Sequence, residues 1–308
     1  VFLVDAAGKL SAEDYTLADS DGAGQLDLPR AYELFRTGAT ISVRRLHESL
    51  PDLGALCRAV EKVFSGHFQA NIYLSPPPAQ GFGTHFDSHD VFVLQVAGSK
   101  MWTLYEALIE LPLHGQVFDK TKHQPGPPTR QITNRAGDLF YCPRGLFHSA
   151  RSTEETSLHI TLGLIGKTWA DVMLEAVSAA CLAAPAFRRN LPAGFADPNF
   201  DVGAARATFR ALVDTFAQTA DLDPILQKAG RGLRELAPPR SCRHTARNRA
   251  GDTGGARHPP CGPSVSQLSP QRGWQRGHIA VWRLAPHFAG GRRRAVALRA
   301  RRRVLSRQ

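Results

Sequence analysis

The chain has few cysteines, and that scarcity excludes more than any other feature of its composition. Five Cys (57, 142, 181, 242, 261) lie scattered through 308 residues with no Cys-x-x-Cys. This pattern provides neither a disulfide scaffold nor a thiolate zinc site, and it fits a reducing, cytoplasmic setting. Apolar runs of 18 or more residues are absent, as is a signal-peptide pattern, so no membrane association is expected. The first residue is Val1 rather than Met, which leaves a preceding piece open. Lysine is missing from the last stretch altogether: Pro239–Gln308 holds 16 Arg, no Lys and one acid, Asp252. The first 238 residues carry 22 Lys and Arg against 26 Asp and Glu, so the overall charge of +11 belongs to the tail and the body is mildly acidic.

The chain is long enough for one main domain with additions. Residues 1–66 read as a mixed α/β flank. Within them Asp19-Ser20-Asp21-Gly22-Ala23-Gly24-Gln25-Leu26 has the outline of a calcium loop. Ala23 and Arg30 stand where oxygen donors are needed, however, so a polar turn is expected. Pro51 and the spacing of Leu53, Leu56, Val60 and Phe64 predict a packing helix over 50–64. Residues 67–166 change to short strands at 70–74, 91–96, 101–105, 129–133, 139–142 and 157–164, separated by Gly and Pro turns. That pattern predicts a mainly β double-stranded β-helix, a jelly-roll or cupin barrel with flanking helices. In the last strand Leu158, Ile160, Leu162 and Leu164 share one face, and Ser157, His159, Thr161 and Gly163 share the other. The polar face points either into a barrel or into water. Residues 167–238 turn helical and Ala-rich, with helices expected at 169–182, 204–217 and 222–236. Residues 239–308 carry Arg292-Arg293-Arg294 and Arg301-Arg302-Arg303, and two readings fit them. One is a disordered RNA-binding arm, the other a stretch read out of frame.

Chemistry concentrates at His85-Phe86-Asp87. On an extended segment a period of two turns both side chains to one side. An imidazole and a carboxylate so placed make two of the three ligands of a facial triad that holds non-haem Fe(II), and His148 is well placed as the third. The pair alone is a weak signal, since twelve His make a chance match common.

Its company is more specific. His85-Phe86-Asp87, Asp90-Val91-Phe92-Val93-Leu94-Gln95, Gly98-x-Lys100-x-Trp102, Gly137-Asp138 and Pro143-Arg144-Gly145-x-x-His148 resemble, in order and spacing, the JmjC-type cupins of the ribosomal oxygenase group. The resemblance covers about residues 26–236 and is densest between 69 and 166. It implies an Fe(II)- and 2-oxoglutarate-dependent dioxygenase that hydroxylates a protein side chain, with a ribosomal protein as substrate and O2 as second co-substrate. It implies His85, Asp87 and His148 as iron ligands, Lys100 as partner of the distal carboxylate of 2-oxoglutarate, and Asn71 and Thr161 as nearby polar contacts. It also implies that the helical segment after the barrel makes a homodimer. A winged-helix domain that follows in the group is not recognisable here. Arg144 reads as a residue shaping the turn before His148, and neither His89 nor His159 is required as a ligand. An oxygenase of small metabolites or methyl-lysine, and a non-catalytic metal-binding cupin, remain the alternatives.

Overall fold

The computed structural model describes residues 1–17, 24–234, 280–283 and 303–304. Most of the calcium-like loop and most of the Arg-rich tail lie outside the described residues.

The N-terminal flank is mixed, as its sequence predicts. It contains β1 (Phe2–Asp5), β2 (Gly8–Lys9), β3 (Thr16–Leu17), β4 (Gln25–Leu26), α1 (Leu28–Arg36), β5 (Thr40–Val43) and α2 (Pro51–Phe64). Helix α1 starts where the Asp27 side chain accepts from the Arg30 amide at 3.0 Å, which satisfies one of the free N–H groups of its first turn. Pro51 opens α2, a position where a missing N–H costs nothing.

The barrel follows as β6 (His67–Ser75), β7 (Asp90–Ala97), β8 (Ser99–Tyr105), β9 (Pro128–Arg135), β10 (Asp138–Cys142), β11 (His148–Ser152) and β12 (Ser157–Ile165). All pairings are antiparallel. One sheet runs β10-β7-β12-β6-β5-β1-β2 and a smaller one β11-β8-β9. Two backbone segments of the tail, β13 (Ala280–Arg283) and β14 (Arg303–Val304), extend the larger sheet beyond β10. The sequence assigns no strand there.

Side-chain alternation tells the inside of the barrel from the outside. Lys100, Trp102 and Leu104 of β8 are buried, and Trp102 and Leu104 pack with Val91, Val93, Phe140 and Cys142 of the facing sheet. On the other side of the larger sheet, Phe68, Ala70, Phe92 and Leu162 bury against Cys57 and Val60 of α2. The even residues of β12 therefore face the helix. This settles the open reading of that strand: Ser157, His159, Thr161 and Gly163 face into the barrel.

The described residues group into two compact units, one containing Val1–Ile165 and the other opening at Gly166. The second unit comprises α3 (Trp169–Ala183), α4 (Gly203–Thr219) and α5 (Leu222–Arg234). Thr168 and Asp171 form a reciprocal capping box that starts α3. Lys228 of α5 pairs with Glu175 of α3. Among the described residues no helix is long and apolar enough to cross a membrane.

Candidate active site

The chain before β7 runs alongside β11, joined by bridges between Gln80 and Arg151 and between His85 and His148. His85 N donates to His148 O at 3.1 Å and His148 N to His85 O at 2.8 Å. Residues that exchange both backbone bonds stand directly opposite, with side chains on the same face. The two rings accordingly lie 4.6 Å apart, centroid to centroid. Asp87, two residues on, brings its Oδ2 to 3.8 Å from His148 Nε2. One ligand atom from each of the three residues lies within 4.8 Å of the other two, the single such cluster among the described residues.

Both imidazoles are oriented by a backbone carbonyl at Nδ1. His85 Nδ1 sits 2.8 Å from Gly83 O, and His148 Nδ1 sits 3.0 Å from Leu146 O. A carbonyl can only accept, so each Nδ1 carries a proton, and Nε2 is the ring nitrogen left for a metal. Burial, reinforced by the neighbouring His85, pushes the His148 pKa down to about 4, so this ring is neutral at pH 7. Two imidazoles and a carboxylate so grouped fit a borderline divalent metal such as Fe(II).

The turn that delivers His148 is constrained. Gly145 has φ +83° and donates its N–H to Asp87 O at 2.9 Å. A Cβ there would lie 2.3 Å from Ile109 O, so only glycine fits. Asp90 fastens the same corner, accepting from Tyr141 OH at 2.7 Å and from Arg144 N at 3.3 Å. Arg144 thus acts at the turn through its backbone. His89 is absent from the ligand cluster. Its Nε2 lies 2.8 Å from where a Gly163 Cβ would be, so the ring occupies space that only glycine at 163 leaves free.

Deeper in the barrel lies Lys100. It is 2% exposed, and its Nζ donates to Ser75 Oγ at 2.7 Å and stands 3.5 Å from His159 Nδ1. Ser75 shares a further bond with Thr40, at 2.8 Å. Among the described residues no carboxylate pairs with Lys100. Burial lowers its pKa to about 7. His159 is pushed down as well, by burial and by Lys100, and it stacks on Tyr73 at 4.9 Å. In the β8/β11 ladder His148 faces Leu104 and Ser152 faces Lys100. Four residues of strand, roughly 13 Å, separate the two levels, a span that a lysine side chain and a small diacid can share.

Asn71 and Thr161 are cross-strand partners on the inner face of β6 and β12. Asn71 Oδ1 already accepts from Arg45 N at 3.0 Å, which leaves its amide NH2 for other contacts. Sequence reading missed the aromatic wall behind the triad. Phe118, from the irregular segment between β8 and β9, lies 6.3 Å from the His85 ring and packs on Phe86, Phe147 and His123. No periodicity marks that segment, so only its Phe and His content hinted at it.

The fold and site together are an antiparallel double-sheet barrel with a His-Asp-His cluster that could hold a metal ion. Residues 46–172 match the family model of the JmjC domain. A Dictyostelium discoideum protein named bifunctional lysine-specific demethylase and histidyl-hydroxylase NO66 is 35% identical over 170 residues, 51% of this chain and 32% of the relative. Ribosomal oxygenase 1 of Bos taurus is 33% identical over 176 residues, 54% of this chain and 26% of the relative. The chain thus spans about a third or less of these relatives' length. Among solved structures, Escherichia coli YcfD, described as a ribosomal oxygenase in complex with cobalt and succinic acid, is 16% identical. The alignment covers 75% of this chain and 58% of that one, with TM-score 0.46.

Proposed function

We propose that the chain is an Fe(II)- and 2-oxoglutarate-dependent oxygenase that hydroxylates a protein side chain, with a ribosomal protein as substrate. The observation that carries this reading is Lys100: a cation buried in the barrel with no acidic partner among the described residues, four strand residues from the level of His148. Burying an unpaired cation is costly, and an incoming anion compensates that cost. A ligand with a keto-acid end for the metal and a carboxylate at the other end satisfies both sites at once.

In this reading His85 Nε2, His148 Nε2 and an Asp87 oxygen hold the iron. The chemistry such an iron supplies is oxidative decarboxylation of 2-oxoglutarate to succinate and CO2, coupled to insertion of one oxygen atom into a C–H bond. The chain's own residues bind and orient. Lys100 Nζ, proton-bound, and Ser75 Oγ take the distal carboxylate, while Asn71 and Thr161 line its approach. Trp102, Phe86 and Phe147 exclude water. Helices α3 to α5 expose Trp169, Leu174, Leu182 and Phe209, which supports a homodimer through this segment. The free Cys57, Cys142 and Cys181 support a reducing, cytoplasmic setting. An RNA contact through the Arg-rich tail rests on composition alone.

Intact-mass analysis of ribosomal proteins incubated with the enzyme, Fe(II), 2-oxoglutarate and O2 tests the substrate class. One added oxygen on one protein, absent with His148→Ala, is the expected result. Loss of methyl groups from a lysine would instead favour the demethylase activity that appears in the relatives' names.

A further inference from the structure

Asn134 of β9 is fully buried, at 0% exposure, yet neither its Nδ2 nor its Oδ1 has a hydrogen-bond partner. Buried amides are almost always paired, so such a group marks a site whose partner is missing. In the β8/β9 ladder Asn134 stands directly opposite Lys100, and Ile132 stands opposite Trp102. Ile132 packs into the inner core with Trp102, so Asn134, two residues on, also leaves the sheet on its inner side. Trp102, the next inward residue of β8, has an indole Nε1 that is likewise buried without an acceptor.

Two orphaned N–H donors and an ammonium with no acid thus share one face. Their common need is an acceptor rich in oxygen and negative charge. An apolar ligand would leave the donors unsatisfied, and a single water has too few lone pairs for all three groups. We propose that Asn134 is a second anchor for the distal carboxylate of the co-substrate, donating from Nδ2 beside Lys100. It thereby contributes to selection of a dicarboxylate over a monocarboxylate keto acid. The inference rests on the 2-oxoglutarate reading and adds a residue to it. No bond to Asn134 is broken in the reaction, so its role is positioning.

The test is calorimetric titration of the Mn(II)-loaded full chain without oxygen, so that binding is read and not turnover. The probes are 2-oxoglutarate and 2-oxopentanoate, which keeps the chain length and keto-acid end but lacks the second carboxylate. Asn134→Leu, close in volume, should weaken 2-oxoglutarate by about ten- to a hundredfold, as loss of a hydrogen bond to a charged group does, and leave 2-oxopentanoate within about twofold. Equal weakening of both probes, or no weakening of either, overturns the proposal. Lys100→Ala in the same titration separates the two claims. If it too leaves 2-oxoglutarate unchanged, the co-substrate reading fails; if it alone weakens binding, only the role of Asn134 fails. Should Asn134→Leu not fold, Asn134→Asp keeps the shape and puts a competing carboxylate next to Lys100. That variant should bind 2-oxoglutarate at least a hundredfold more weakly, and wild-type affinity in it contradicts the proposal.

Discussion

Lys100 keeps its ammonium between a hydroxyl and an imidazole, and that placement sets a pH dependence. Its pKa of about 7 means the free protein loses this proton near neutrality, whereas the bound dianion holds it on. Affinity for 2-oxoglutarate should be flat below pH 7 and fall by up to about tenfold per unit above it. Titrations across pH 6–9 check this, and Lys100→Arg, which does not deprotonate, should flatten the slope. The same burial is a liability for the empty protein. Below the folded pKa both states are protonated and folding carries the full cost of the buried charge; as pH rises from about 7 toward 10.5 that cost disappears. Lys100→Met should therefore raise the apo protein's stability at pH 7 by on the order of 1–4 kcal/mol while abolishing selective 2-oxoglutarate binding. Thermal unfolding of both proteins reads this out. Lys100 came from the resemblance, whereas the pairing of His85 with Asp87 on one side of an extended segment was legible in the sequence because it is local. Asn134 was not, since its significance comes from the β8/β9 register and from an absent partner, neither of which a linear pattern encodes.

At the scale of elements, six barrel strands and α2 to α5 lie close to where apolar periodicity put them. Strand β11 was missed. His148-Ser149-Ala150-Arg151-Ser152 has no alternating apolar pattern, and it is extended because β8 pairs with it along its length. Tertiary pairing overrides local preference there. The strands β1 and β5 were also unassigned, being only four residues each. The turn between β10 and β11 is the element on which the site depends most. Gly145→Ala would force a left-handed conformation on a residue with a Cβ and drive that atom toward Ile109 O. We expect a loss of about 1–3 kcal/mol in stability and at least tenfold weaker metal binding, because His148 lies three residues on. Chemical denaturation and metal titration of the variant check the two effects separately.

For the whole molecule, charge and exposed apolar surface divide the work. The body of the chain is acidic, and its basic residues in excess lie beyond residue 238, mostly outside the described residues. The exposed Leu174 and Phe209 of the helical unit should lie in a dimer interface. Leu174→Asp with Phe209→Asp should give a monomer by light scattering at micromolar concentration, with metal affinity unchanged. A monomeric wild type would remove that proposal without touching the site. The central claim is narrower: the His85–Asp87–His148 cluster and buried Lys100 together hold 2-oxoglutarate for oxidative chemistry. Succinate formation against 2-oxoglutarate concentration, with Fe(II) and O2 supplied, tests it most directly. Wild type should saturate, His148→Ala should form no succinate, and Lys100→Ala should need several hundred-fold more 2-oxoglutarate, matching about 3–5 kcal/mol for an unpaired buried carboxylate. An absence of succinate from wild type, or an unchanged concentration dependence in Lys100→Ala, would contradict the account.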